Sequence, residues 1–361
     1  MTRFDTLVVT PITAPMSSAM PPTRPHMPAS STPVSSPVPV SIARLARTLA
    51  PSGTPERTGT RVTSPSTVDR PARLAVGVIG TGRVGAVLAA ALERVGHHVD
   101  AVSAVSDASR ARAAALLPDA EVMAPIAVAQ KSELLLVTVP DDALPGLVQG
   151  LVAAEAVPPG QLLVHTSGRY GVRVLEPATR LGALPLALHP AMTFTGRRED
   201  ISRLVGCSFG VTAPEPLHPI AEALVVEMGG EPQWVDEDSR ALYHAALANG
   251  ANHLTTLVAE SMDLLRRCGV EDPAKMLGPL LGAALDNVLR SGDAALTGPV
   301  ARGDAGTVAA HIAELRQVSP QALGAYVAMA RLTADRALAA GLLRPEAAEA
   351  LLDVLAEESR P

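Results

Sequence analysis

The chain has 361 residues, enough for two domains of ordinary size. Acids outnumber bases by 36 to 30, and 47% of residues are hydrophobic although only 2% are aromatic. This balance excludes a wholly disordered chain, a cationic nucleic-acid module and an aromatic platform for single strands. Two cysteines, Cys207 and Cys268, exclude a disulfide framework and a Cys-rich zinc site, so a reducing cytoplasm is the expected setting.

Residues 1–72 stand apart. They hold 13 of the 32 prolines, 22 serines or threonines, and seven arginines against three acids. Such a segment cannot bury enough apolar surface to offset the entropy of ordering, so it reads as a disordered tail. A secretory signal is disfavoured because Thr10-Pro11 interrupts Leu7-Val8-Val9. A transit peptide would share the arginine bias, but the prolines oppose its amphipathic helix. The apolar window Leu74–Leu92, with only Arg83 charged, imitates a membrane span, but its glycines explain it better. No membrane or nucleic-acid partner is expected.

Residues 73–236 read as a doubly wound α/β sheet. The β-branched run Leu74–Ile79 enters Gly80-Thr81-Gly82-Arg83-Val84-Gly85, and a helical stretch, Ala86–Val95, follows. G-x-G-x-x-G between strand and helix is the context in which the first glycine makes a tight turn. The second admits a pyrophosphate, the third packs helix on strand, and the helix N-terminus faces the anion. The next strand, Val99–Val102, ends at Ser103 rather than an acid, with Ser106, Ser109 and Arg110 beyond. Hydroxyls and a guanidinium suit a 2′-phosphate, so NADP is favoured over NAD. Asp107 dissents unless it caps the following helix, and Arg110 and Arg112 also fit a solvated helix face.

Further strands are expected at Leu134–Val139, Leu162–Val164, Leu184–Leu188, Ser208–Thr212 and Gln233–Val235. In an open parallel sheet ligands bind beyond the carboxyl ends of the strands. Those ends carry Val139-Pro140, Ser167-Gly168 and His189-Pro190.

Residues 237–361 read as all helical, opening with a helix over Ser239–Cys268. At 100° per residue, His244, Ala248, Ala251, Asn252 and Thr255 share one small, polar stripe, and His253 lies opposite, so the two histidines do not form a metal pair. The stripe is a candidate substrate face, and the alternative is that His244 and Asn252 satisfy buried polar partners. In the turn Thr297–Asp304, Arg302 is placed either to meet an anionic substrate or to pair with Asp304. Apolar stripes after Gln321 fit a homodimer interface and internal packing equally well.

Gly80–Gly85, Ser167-Gly168, His189-Pro190-Ala191-Met192-Thr193-Phe194, the His244–Asn252 helix and Thr297–Asp304 together resemble one bacterial family. It joins a Rossmann-like domain to a C-terminal helical domain of unknown function. Its plan is similar to ketopantoate reductase, pyrroline-5-carboxylate reductase and the β-hydroxyacid dehydrogenases, and its helical part to the C-terminal domain of 6-phosphogluconate dehydrogenase. The resemblance implies an NADP-dependent oxidoreductase acting on a small carbonyl, 2-keto acid or imine, an anionic substrate among them.

One departure stands out. Where those reductases carry a lysine and then asparagines on the long helix, this chain has His244, Ala248 and Asn252, and its two lysines, Lys131 and Lys275, lie elsewhere. His244 is therefore the expected proton donor, with His189 a second candidate. Asn252 would orient the substrate and Ser167 would hold an oxygen. The alternative is a non-catalytic dinucleotide sensor or partner-binding protein on the same fold.

Overall fold

A computed structural model describes residues 73–357. The expected tail over residues 1–72 lies outside them. The first half is an eight-stranded sheet in the order β3-β2-β1-β4-β5-β6-β7-β8. Its strands are β1 (Ala75–Ile79), β2 (His98–Ser103), β3 (Glu121–Val122), β4 (Leu134–Val137), β5 (Leu162–His165), β6 (Leu184–Pro190), β7 (Ser208–Thr212) and β8 (Glu231–Trp234). Seven helices belong to this half: α1 (Arg83–Arg94), α2 (Asp107–Leu116), α3 (Pro125–Lys131), α4 (Leu144–Ala153), α5 (Glu176–Thr179), α6 (Glu199–Arg203) and α7 (His218–Glu227).

The continuous apolar strands follow from burial on both faces. In β4, Leu134 and Leu136 join a core shared with α1 and α7, whereas Leu135 and Val137 join the opposite core with α3 and α4. Helix α1 is buried from Gly85 to Leu92, which explains its run of alanines and aliphatics. Because β1 pairs with both β2 and β4, the chain leaves it in opposite directions on its two sides, opening the crevice where such sheets bind ligands.

Two features depart from the sheet expected from sequence. The two-residue β3 has no readable apolar signal, its residues being exposed. Strand β7 runs antiparallel to β6, and β8 follows β7. The intervening helix α6 has five residues, about 7.5 Å, and cannot return the chain along the roughly 23 Å of seven-residue β6. The chain therefore turns back at the site end of the sheet.

Beyond Trp234 the described residues form helices alone: α8 (Arg240–Arg267), α9 (Pro273–Ser291), α10 (Pro299–Arg302), α11 (Ala305–Val318), α12 (Pro320–Ala339) and α13 (Pro345–Glu357). Helices α10 to α13 enclose their own core. On α12 the stripe Leu323, Val327, Ala330, Ala334 and Ala337 faces it, so that apolar pattern packs within one chain. Asp304 caps α11 by accepting from Thr307 N at 3.1 Å. Among the described residues no helix is long and apolar enough to cross a membrane.

Candidate active site

At the end of β1, Gly80 N and Thr81 N both donate to Ser103 O, at 3.3 and 3.1 Å, and the Thr81 hydroxyl donates to the same carbonyl at 2.9 Å. Gly80 takes φ +94°, and a Cβ there would lie 2.8 Å from Thr138 O and 3.2 Å from Val139 Cγ1. A Cβ on Gly85 would reach within 2.2 Å of Thr138 Oγ1, so that glycine holds α1 against β4. Around Gly82 the space is open, the nearest atom being Gly80 O at 3.8 Å. No side chain caps α1, so the N–H groups of its first turn, from Arg83 and Val84 onward, face outward. Each glycine thus meets the demand expected of it, and the turn fits a pyrophosphate. Pro140 stands beside it, its carbonyl accepting from Ala143 N.

The presumed phosphate residues are engaged locally. Ser106, not Asp107, caps α2, and Ser106 and Ser109 bond reciprocally. Asp107 sits exposed in the first turn and pairs with Arg110, whose guanidinium also donates to Val105 O at 2.7 Å. Ser103 is buried. Arg112 lies against Gly196, where a Cβ would meet its Nε at 2.7 Å and Arg83 Cα at 3.1 Å. The Thr195–Gly196 turn is tied to fully buried Asp200, which accepts from both backbone N–H groups and the Thr195 hydroxyl.

After β5, His165 shapes the loop. It is wholly buried, its Nδ1 accepts from Ser167 N and its Nε2 donates to Gly171 O at 2.9 Å. Burial lowers its pKa from 6.5 to about 4. Ser167 Oγ accepts from Arg169 N and Tyr170 N, leaving its hydroxyl proton free to donate. Ser167 itself does not line the cavity described next, but its neighbour Gly168 touches the residues that do.

That cavity holds about 220 Å³ between the end of β6 and the face of α8. His189 to Thr193 form one wall, and His244, Leu247, Ala248, Ala251 and Asn252 the other. Four of the five stripe residues read from helical spacing therefore form the wall that faces the His189 segment. His253 points elsewhere, bonded to Asn249 at 2.9 Å. The two site imidazoles converge on Gly168, where a Cβ would lie 2.6 Å from His244 Cδ2 and 3.0 Å from His189 Nε2. Burial, then Arg240 and His244, lower the His189 pKa to about 4. At neutral pH this makes His189 an uncharged imidazole, suited to polarising a carbonyl by hydrogen bonding. Thr297–Asp304 contributes nothing to the cavity lining.

Two residues escaped the sequence reading. Arg240, 1% exposed, donates to Ser167 O, Tyr170 O and Gly210 O, riveting the start of α8 to the β5 loop and β7. Tyr243 meets His189 Nδ1 through its hydroxyl at 2.9 Å. Arg240, four residues before His244, extends the His244–Asn252 stripe by one turn, a signal that was available; Tyr243, adjacent to His244 and about 100° round the helix, lies off that stripe. Glu237, which accepts from Val172 N and Arg173 N, secures the same junction.

Residues 60–190 match the family model of a Rossmann-like domain, and residues 207–333 that of a domain of unknown function, DUF2520. The chain pairs a Rossmann-like domain with a DUF2520 domain. This Rossmann-like/DUF2520 chain matches no curated protein by sequence. Among solved structures it is similar to a candidate NADP oxidoreductase from Bacteroides fragilis, at 23% identity and a TM-score of 0.60, over 73% of this chain and 98% of that one. It is similar to a protein from Thermotoga maritima at 20% and 0.56, over 73% and 99%. It is also similar to an imine reductase from Pseudomonas sp. at 20% and 0.55, over 79% and 100%. At these identities the likeness is one of fold.

Proposed function

We propose that the chain is an NAD(P)-dependent oxidoreductase, with NADP favoured, that reduces a small carbonyl, 2-keto acid or imine. The observation that carries the reading is the cavity wall of His189, His244 and Asn252 joined by a short loop to the dinucleotide-type turn. Three residues beyond Thr193 in that wall, Gly196 packs on Arg83, so cavity and turn are separated by roughly 10 Å of chain. A volume of about 220 Å³ lies below the ~300 Å³ at which drug-sized pockets begin, which favours a small substrate. The oxidoreductase names carried by structures of the same fold support the reading.

Gly80–Gly85 would hold the pyrophosphate, and Ser103, Ser106 and Arg110 would border the adenosine end. The bound dinucleotide supplies hydride to a substrate carbon. The chain's own residues do the rest. His244 supplies a proton to the reduced oxygen or nitrogen, Asn252 orients the substrate and His189 donates a hydrogen bond, while Ser167, outside the lining, shapes the Gly168 loop by accepting from Arg169 N and Tyr170 N. Turnover of NADPH with a panel of 2-keto acids and cyclic imines tests this, and oxidation with at least one member is expected. Binding of NADPH with no turnover on any would favour the sensor reading, which His244 and Ala248 in place of lysine and asparagine support.

A homodimer belongs to the same proposal, but through α8 and α9 rather than the helices after Gln321. Leu254 and Leu257 on α8, and Leu280 and Leu289 on α9, are exposed, the last two at 65% and 77%. Asn252, in the cavity wall, is exposed as well, so a second copy laid along these helices would cover the site's open side. Sedimentation is expected to give a dimer that Leu280→Asp converts to a folded monomer. A monomeric wild type would refute it.

A further inference from the structure

The Tyr243–His189 contact specifies which nitrogen of a cavity imidazole carries the proton. The phenol oxygen lies 2.9 Å from His189 Nδ1, with the rings edge-on at 89°. A Cβ on Gly210 would come within 2.4 Å of that oxygen, so the phenol lies directly on the β7 backbone. A phenol has one proton to give. Among the described residues the hydrogen-bond partner of that hydroxyl is His189 Nδ1, the acceptor open to its proton. The other ring nitrogen, Nε2, faces Gly168 beside His244.

We propose that Tyr243 is a positioning residue that sets the tautomer of His189, keeping the imidazole proton on Nε2 so that the ring presents a donor to the cavity. The opposite tautomer would make the phenol oxygen the acceptor and leave the phenolic proton with no partner among the described residues. Arg240, whose guanidinium carbon lies 5.4 Å from the Tyr243 ring centroid, and His244 are the other titratable groups facing this pair. Both oppose a positive His189, so the ring stays neutral and the tautomer, not the charge, decides what it offers.

This rests on reading the cavity as a substrate site, and it narrows the substrate class. A fixed Nε2–H meets a lone pair, which a carbonyl or carboxylate oxygen presents and a protonated imine nitrogen does not. A protonated imine is thereby excluded at His189, and the atom held there is an oxygen or an unprotonated nitrogen. A neutral histidine polarising a carbonyl is an established strategy elsewhere.

Nitrogen-15 spectra of histidine-labelled full-length protein at pH 7 test the claim without any ligand, with the His189 signals assigned by their loss in His189→Gln. Wild type is expected to show an unprotonated Nδ1 and a protonated Nε2, and Tyr243→Phe a mixture of both tautomers. A proton on Nδ1 in wild type, or an unchanged pattern in Tyr243→Phe, would overturn it. Should Tyr243→Phe not fold, the wild-type spectrum alone decides. NADPH affinity measured on the same samples is independent, so its absence would refute the reductase reading and leave the tautomer result standing.

Discussion

The imidazoles of His189 and His244 stand with ring centroids 5.9 Å apart and planes inclined by 67°, one from a strand end and one from the long helix. Gly168 is the floor on which they meet. Its missing side chain is what permits the approach, since a Cβ would enter both rings' contact distance. Gly168→Ala is expected to displace both rings and cost about 1–3 kcal/mol from overpacking. Histidine-labelled spectra should then shift for His189 and His244 but not for His311, far off on α11. Unchanged site signals at unchanged stability would contradict the packing described.

Arg240 carries a buried positive charge whose hydrogen bonds go to three backbone carbonyls, two in the loop after β5 and one on β7. Removing it orphans acceptors that water reaches poorly, at about 1–3 kcal/mol each. Arg240→Met, similar in size, is expected to lower unfolding free energy by about 3 kcal/mol or more in urea titrations. A loss below about 1 kcal/mol would mean that the junction is held by Glu237 and packing instead.

Acid should destabilise the protein through two histidines. His165 and His189 have pKa values lowered to about 4 when folded, against an ordinary 6.5. The unfolded chain therefore binds more protons between these values, and their contribution is complete above pH 6.5 and declines as pH falls toward 4. From pH 7.5 to pH 5 each should remove about 2 kcal/mol. Urea unfolding of wild type and His189→Gln at both pH values measures this. The variant is expected to lose a smaller amount, and equal losses would refute the role given to His189.

How much of this was legible depended on the range of the interaction. The glycine turn is local, with strand, turn and helix contiguous from Ala75 to Arg94, and its three glycines perform the tasks their spacing announces. The cavity wall of α8 was legible because helical periodicity alone aligns His244, Ala248, Ala251 and Asn252. Joining that wall to His189 required knowing that strand ends collect at one edge of a sheet. The antiparallel return of β7 was not legible, because it follows from the shortness of α6, whose five residues give no strong periodic signal. Asp200 and Arg240 look like ordinary surface charges in sequence. Their burial is set by partners in the backbone, which carries no residue code. At Ser106 and Ser109 one pattern suits both a phosphate site and a helix cap, and both residues do form the cap of α2, while Arg110 pairs with Asp107.

Titration of NADPH into the full-length protein, alongside Gly82→Ala, tests the central claim most directly. The space over Gly82 is empty of protein, so an added methyl leaves the fold intact but occupies the approach to the pyrophosphate. Saturable binding by wild type is predicted, weakened at least tenfold (about 1.4 kcal/mol) in the variant at the same unfolding temperature. No binding by wild type, or equal binding by both, would contradict the account.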